Sequence, residues 1–170
     1  MAKVIAERMT AQIEDERVLF LVGMRINRPW KLHKWLPVFF AMPRMVNELR
    51  AHPGHGLLDA RYHFSLRSPM VVQYWESFEK LEAYAGQRDA EHLPAWATFN
   101  RKVASNGDVG IWHETYRITP GSYECVYNNM PAYGLGKATE LVPARGAQES
   151  AGQRMGVAET PSGGDDRPPV

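Results

Sequence analysis

Apolar and polar positions alternate along the chain in blocks that read as strand, helix, strand, strand, helix, strand. Residues 18–26 (VLFLVGMRI) are almost continuously apolar, which suits a central strand covered on both faces. Between residues 30 and 50, Leu32, Trp35, Leu36, Phe39, Phe40, Met42, Met45, Val46 and Leu49 fit helical spacing, with charged and amide side chains elsewhere. Pro37 and Pro43 fall inside that stretch. Each removes an amide donor and crowds the preceding turn, so a kinked or broken helix is expected. The run His52-Pro53-Gly54-His55-Gly56 ends it. Residues 57–64 then alternate, placing Leu58, Ala60, Tyr62 and Phe64 on one face and Leu57, Asp59, Arg61 and His63 on the other. A turn over residues 65–69 leads into a returning strand over 70–75.

Ser77 is placed to cap a short helix over residues 78–85, and Asp89 to cap a further helix over about 90–104. Asn106-Gly107 stops it, and residues 109–118 form a last long strand. This order predicts an α+β domain with the split βαβ sheet of ferredoxin-like folds. Helices on one face leave the other face bare. Trp112 and Tyr116 on one side of the last strand, and Val109 and Ile111 on the other, make both faces apolar. A homodimer joined sheet to sheet, as in a dimeric α/β barrel, would bury the bare face.

The flanks read differently. Residues 1–17 are mixed in character and are expected to form an N-terminal arm, with the ferredoxin-like domain over 18–146. A further strand is expected over 123–127, followed by a turn-rich segment anchored by aromatics. From residue 147 to 170 the composition turns to Gly, Ser, Pro and charge, which cannot bury enough apolar area to offset ordering, so a disordered tail is expected.

Composition narrows the function. With 20 basic and 19 acidic residues the formal net charge is +1, which gives no argument for a nucleic-acid partner. Cys125 is the single cysteine, so no internal disulfide or cysteine zinc cage is available. No apolar run approaches the ~20 residues of a membrane span, and charges interrupt the N-terminus where a secretory signal would need an apolar core. A cytoplasmic protein with no membrane partner is therefore expected. No Walker loop, GxGxxG, HExxH or GxSxG occurs.

Among candidate chemistry, His113 stands out. Strand alternation puts it on one face with Val109, Ile111 and Thr115, away from Trp112 and Tyr116. A histidine there can serve as a general base, a metal or haem ligand or a donor to a substrate, or it can be a core histidine satisfied by a neighbour. His92 opens the second helix, where it can line a pocket mouth or simply sit at a helix end. His63 shares a polar strand face with Asp59 and Arg61. His52 and His55 flank a Pro-Gly turn without a supporting carboxylate, so no metal site is assigned. The tryptophans, Trp75 and Trp96 among them, can wall a pocket for a flat or greasy molecule or can be plain core. Cys125 has no sequence neighbour that would activate it.

Four segments occur together in order: YWESFEKL at 74–81, HLPAWATFN at 92–100, WHETY at 112–116 and GLGKA at 134–138. Together they resemble a monooxygenase-like family of bacteria and fungi, long carried as a domain of unknown function, that includes a monooxygenase of fumagillin biosynthesis. That family is similar to the antibiotic-biosynthesis monooxygenases with their dimeric α/β barrel. The resemblance implies an oxygenase of the kind met in secondary metabolism that uses neither metal nor flavin. Its substrate would be a modest-sized apolar or aromatic molecule able to form an electron-rich anion. His113, with His92 behind it, would then supply the base, and Val109, Ile111, Thr115, Trp75 and Trp96 the pocket. Two alternatives stay open: a haem-binding barrel resembling aldoxime dehydratases, with histidine as ligand, and a non-catalytic dimer that binds a small molecule.

Overall fold

The computed structural model describes residues 2–86 and 107–157. They fall into two compact units, Asp15–Ile118 and a second built from Met1–Glu14 with Thr119–Val170. The expected single domain over 18–146 therefore ends earlier in this structure, at the close of the last long strand.

In the unit Asp15–Ile118, strand β2 (Arg17–Ile26) leads into helix α1 (Leu32–Ala51), then strands β3 (Leu57–His63) and β4 (Met70–Trp75), helix α2 (Phe78–Gly86) and strand β5 (Val109–Ile118). The four strands form one antiparallel sheet in the order β3-β4-β2-β5. The two middle strands in space are thus the third and first of this unit, which is the ferredoxin-like arrangement. The expected helix over 90–104 lies outside the described residues.

Both helices pack on the same face of the sheet. Leu49 of α1 and Leu81 and Tyr84 of α2 meet Val18 and Trp75 there. Val46 packs with Ala60 and Val71, and Trp35, Val38 and Phe39 cover Met24, Ile26 and Val109. Pro37 and Pro43 do not break α1, which is one helix of 20 residues. An interior proline costs about 3 kcal/mol. Full burial of Val46 and Leu49 returns roughly 1.5–3 kcal/mol each, and Trp35, Val38, Phe39 and Met42 add to it. The packed face therefore carries the helix across its two missing amides. Ser77 caps α2 as its sequence position indicates, its hydroxyl accepting from the Lys80 amide at 3.3 Å.

One strand departs from simple alternation. The β3–β4 register shifts between Leu57 and Asp59. Leu57 consequently joins the helix-side core with Ala60 and Tyr62, and Leu58 is left exposed, the reverse of the alternation read from sequence. Gly56 precedes the shift at φ +85°, where a Cβ would lie 2.9 Å from Lys80.

In the other unit, the N-terminal segment is a strand rather than an arm. β1 (Ile5–Gln12) is the middle of a three-stranded sheet, between β6 (Tyr127–Met130) and β7 (Glu140–Pro143). The strand expected over 123–127 lies instead at Tyr127–Met130, where it pairs with β1. Residues 119–146, expected to continue the first domain, belong here. Of the tail expected from residue 147, the described part holds a 3-10 turn, Gly146–Gln148, and a helical turn, Ala151–Arg154, closed by a capping box between Ser150 and Gln153.

Gly23 pairs with Trp112, and a Cβ on Gly23 would lie 2.8 Å from the indole. Gly23→Val should lower unfolding free energy by about 1–3 kcal/mol in urea titration, while Gly110→Ala, where the nearest contact would be 3.5 Å, should cost much less. Asp108 joins the β2–α1 turn to the start of β5. Its carbonyl accepts from the Asn27 and Arg28 amides, and its buried carboxylate binds Arg28 Nη1 at 2.9 Å and Lys31 Nζ at 2.9 Å. The Lys31 hydrogen bond, aided by the charges of Lys31 and Arg28 and opposed by desolvation, holds this carboxyl below its ordinary value. Because the folded value is the lower one, the stabilisation is complete above the usual aspartate range near pH ~4 and is lost as pH falls through the folded value. Asp108→Asn should therefore be less stable than the parent at neutral pH, with the gap closing below about pH 4. A gap constant across pH in thermal unfolding would remove the carboxylate charge from the account.

Candidate functional site

β5 pairs with β2 in a register without interruption, from Arg17 opposite Ile118 to Ile26 opposite Val109. Residues directly opposite one another share a face. Val109, Ile111, His113 and Thr115 therefore stand with Ile26, Met24, Val22 and Phe20 on the helix side, as alternation along β5 predicts. Trp112 and Tyr116 stand on the other side. No bulge near Gly110 disturbs the assignment.

The strip changes character along its length. Val109 is buried against Met24 and Ile26, beneath Trp35, Val38 and Phe39 of α1. Ile111 is 37% exposed, and His113 and Thr115 are exposed as well. β5 is an edge strand of the sheet, and the contacts of α1 and α2 centre on β2, β3 and β4. His113 is thus not a satisfied core histidine. Its ring lies 5.7 Å from that of Phe20, tilted by 41°. Neither ring nitrogen has a hydrogen-bonding partner among the described residues.

This arrangement joins an open imidazole to an aromatic wall (Phe20), an aliphatic neighbour (Ile111) and a hydroxyl (Thr115). It can take a proton from a weak acid resting on Phe20 and Ile111, and Thr115 can donate to the resulting anion. Phe20 escapes a reading of the sequence because cross-strand register is invisible along one strand. Its place among the apolar positions of β2 is the available signal.

The other sequence candidates separate. Trp75 is 1% exposed, locked in the core by Val18, Leu49, Leu81 and Tyr84, with its indole N–H donated to Gln73 Oε1 at 2.9 Å. It supports the sheet and offers no surface to a ligand, so its expected role in the pocket is corrected. His92 and Trp96 lie outside the described residues. His63 is exposed. The rings of His52 and His55 are 5.7 Å apart, and His55 packs on Tyr84. Among the described residues no three metal-ligating side chains converge. On the opposite face of β5, the Tyr116 hydroxyl donates to Glu114 Oε2 at 2.7 Å, and that hydrogen bond to the carboxylate raises the phenol's pKa.

A shallow cavity of about 220 Å³ occurs in the other unit, lined by Thr10, Gln12, Ile13, Tyr123 and Arg154 among others. Two of its polar side chains are already engaged. The Tyr123 hydroxyl donates to Ala11 O and accepts from the Ile13 amide, and Arg154 is held by Glu124 and the carbonyls of Gln148 and Glu149. Its volume also falls below the ~300 Å³ at which ligand pockets begin. The Cys125 thiol accepts the Ala11 amide at 3.3 Å in the same unit.

Known proteins share parts of this chain. The model of a family described as monooxygenase af470-like matches residues 17–135. The monooxygenase af470 of Aspergillus fumigatus is 27% identical, over 95% of this chain and 65% of the relative, so this chain spans about two thirds of that protein's length. Solved structures that resemble it include SnoaB, a cofactor-independent oxygenase from Streptomyces nogalater, at TM-score 0.41 and 13% identity, covering 62% of this chain and 92% of that one. A dimeric protein of ferredoxin-like fold from Bacteroides fragilis matches at TM-score 0.43 and 10% identity, covering 61% and 95% of the two chains.

Proposed function

The chain belongs to the monooxygenase af470-like family, and on that premise we propose that it is a monooxygenase that oxidises a modest-sized apolar or aromatic organic substrate without metal or flavin. The observation that carries this reading is the open imidazole of His113, set beside Phe20 and flanked by Ile111 and Thr115 on one strand face.

The chemistry needs little from the protein beyond those groups. For a substrate with an acidic methylene carbon, a ring nitrogen of His113 removes one proton and leaves an electron-rich carbanion or enolate. That anion supplies the electrons to dioxygen, and a bond forms between the carbon and one oxygen atom. Loss of the second proton from the same carbon then cleaves the O–O bond. The carbon keeps one oxygen as a carbonyl, and the other oxygen leaves with both protons as water. One dioxygen is consumed for each methylene converted to a carbonyl. The substrate is the reductant, and no external electron donor enters the balance. Phe20 and Ile111 border the anion with apolar surface on one side, where it is less hydrated and gives up electrons more readily. The protein is proposed to work as a cytoplasmic homodimer joined through the sheet face that carries Leu21, Val72, Trp112 and Tyr116, opposite both helices. Apolar side chains in that number on one sheet face favour a second apolar surface over water.

Purified protein should be colourless and consume oxygen with a phenolic or enolisable substrate, one molecule per molecule of product. His113→Ala should lower that rate by about a hundredfold or more while circular dichroism is unchanged. Oxygen uptake surviving in folded His113→Ala would remove the histidine from the chemistry. A Soret band, lost in the same variant, would replace the cofactor-free reading with haem ligation, and a tightly held unaltered ligand would replace it with simple binding. For assembly, light scattering should give about twice the 19.3 kDa of one chain, and Tyr116→Glu, which sets two carboxylates side by side with Glu114, should shift the protein toward the monomer.

A further inference from the structure

We infer that one end of the unit Asp15–Ile118 is a docking surface for an anionic phospholipid bilayer. Among the described residues of that unit, the five most exposed large apolar side chains are Leu66 at 94%, Phe64 at 77%, Trp30 at 74%, and Leu32 and Phe40 at 53% each. All five lie at the same end. Trp30 is in the β2–α1 turn, Leu32 and Phe40 are in the first half of α1, and Phe64 and Leu66 are in the β3–β4 hairpin.

Contacts tie these segments together. The Phe39 ring lies 5.4 Å from Phe40, 6.4 Å from Phe64 and 6.3 Å from Trp35, whose indole N–H donates to the Pro29 carbonyl. Arg67 of the hairpin donates to the carbonyls of Ile26 and Asn27 at the edge of the turn. The apolar tips therefore project from a braced base rather than from unrelated places on the surface.

Charge at this end is one-sided. Residues 24–47 and 60–75 include Arg25, Arg28, Lys31, Lys34 and Arg67 and contain no aspartate or glutamate, although the whole chain is nearly neutral at +1. Among the described residues, the Asp108 carboxylate, which reaches this end, is buried and engaged by Arg28 and Lys31. Protruding Trp, Phe and Leu side chains within a basic ring match an anionic interface, where aromatic and aliphatic groups enter the headgroup boundary and each cation gains from the surface potential. A second copy using this same patch would set basic groups against basic groups. A nucleic acid would use the cations and the rings but would find no use for the exposed leucines. No helix among the described residues is long and apolar enough to cross a membrane. The surface therefore implies peripheral contact, which the lack of a spanning segment does not forbid. This inference stands independently of the oxygenase reading.

The full chain, mixed with vesicles of phosphatidylcholine alone and of an equimolar mixture with phosphatidylglycerol, provides the test by co-sedimentation. Binding should be confined to the phosphatidylglycerol vesicles and should weaken as salt is raised. The double variant Trp30→Ser/Leu66→Ser should bind at least about tenfold more weakly, and Arg25→Gln roughly fivefold more weakly, with thermal unfolding and oxygen uptake unchanged. Equal sedimentation with both vesicle types, none with either, or binding indifferent to the double variant would overturn the proposal. Dissociation of a dimer by Trp30→Ser/Leu66→Ser in light scattering would assign the patch to a second copy instead. Binding to single-stranded RNA, but not to vesicles, that the double variant weakens would assign it to nucleic acid.

Discussion

The antiparallel pairing of β2 with β5 is the constraint on which the rest depends. It runs from Arg17 opposite Ile118 to Ile26 opposite Val109 without a shift. Because the side-chain period of a strand is two, one slipped residue would send every side chain of β5 to the other face. The unbroken register is therefore what gives His113 its aromatic neighbour and sends Trp112 to the far side. Trp112 also lies over Gly23, where no side chain larger than hydrogen fits beneath the indole. The pairing has a second consequence for chain order. β1 pairs with Met130 and with Val142, across more than a hundred residues. Closing so long a loop in an unfolded chain is costly, although the cost rises slowly with length. In the folded chain, the pairing of Arg17 with Ile118 already bridges most of that sequence separation, which shortens the effective loop that the β1 pairings close.

Burial along β5 follows from helix placement. Leu49, Leu81 and Tyr84 cover the sheet at Val18 and Trp75, and the first half of α1 covers Val109. The remaining stretch of β5 is at the sheet edge, past the reach of α1 and α2, the helices of this unit among the described residues. A histidine on such a stretch is neither locked by packing nor fully surrounded by water, because Phe20 lies against one side. Core packing and the candidate site are thus two outcomes of one arrangement: apolar side chains under α1 and α2 hold the sheet, and the edge that no described helix covers presents the titratable group.

The strands and helices legible in the sequence are those with a strong period. Residues 70–75 and 109–118 have the same boundaries in the pattern and in the structure, and α1 starts two residues later and ends one residue later than the pattern. The facing of His113 is legible for the same reason, since alternation needs only one strand. Features that depend on two strands are not legible. The shift at Leu57 and Asp59 reverses the first residues of β3, and nothing in LLDAR marks a bulge. β1 resembles an arm because Glu7 and Arg8 interrupt its apolar positions, but burial here comes from Thr10, Ala11 and Ile13 near its end, and its partners lie at the far end of the chain. Trp75 shows the same limit from another side. Its place in the family-like segment invites a pocket role, but a tryptophan buried at the end of an inner strand, with its N–H already satisfied, is a core residue.

The exposed aromatics reveal a further division within α1. Its Trp35, Val38 and Phe39 face the core, whereas Leu32 and Phe40 face outward, so the helix is apolar around much of its first half and conventionally amphipathic only toward Val46 and Leu49. A helix apolar on both sides normally lies within a larger body or at an interface. The two prolines fall in or beside that same stretch. Sequence that maintained α1 for packing alone would place polar groups at positions 32 and 40 and spare the helix its missing amides. Keeping both departures in one segment, beside the equally exposed hairpin tip, fits a surface shaped by what it contacts as well as by the core it covers.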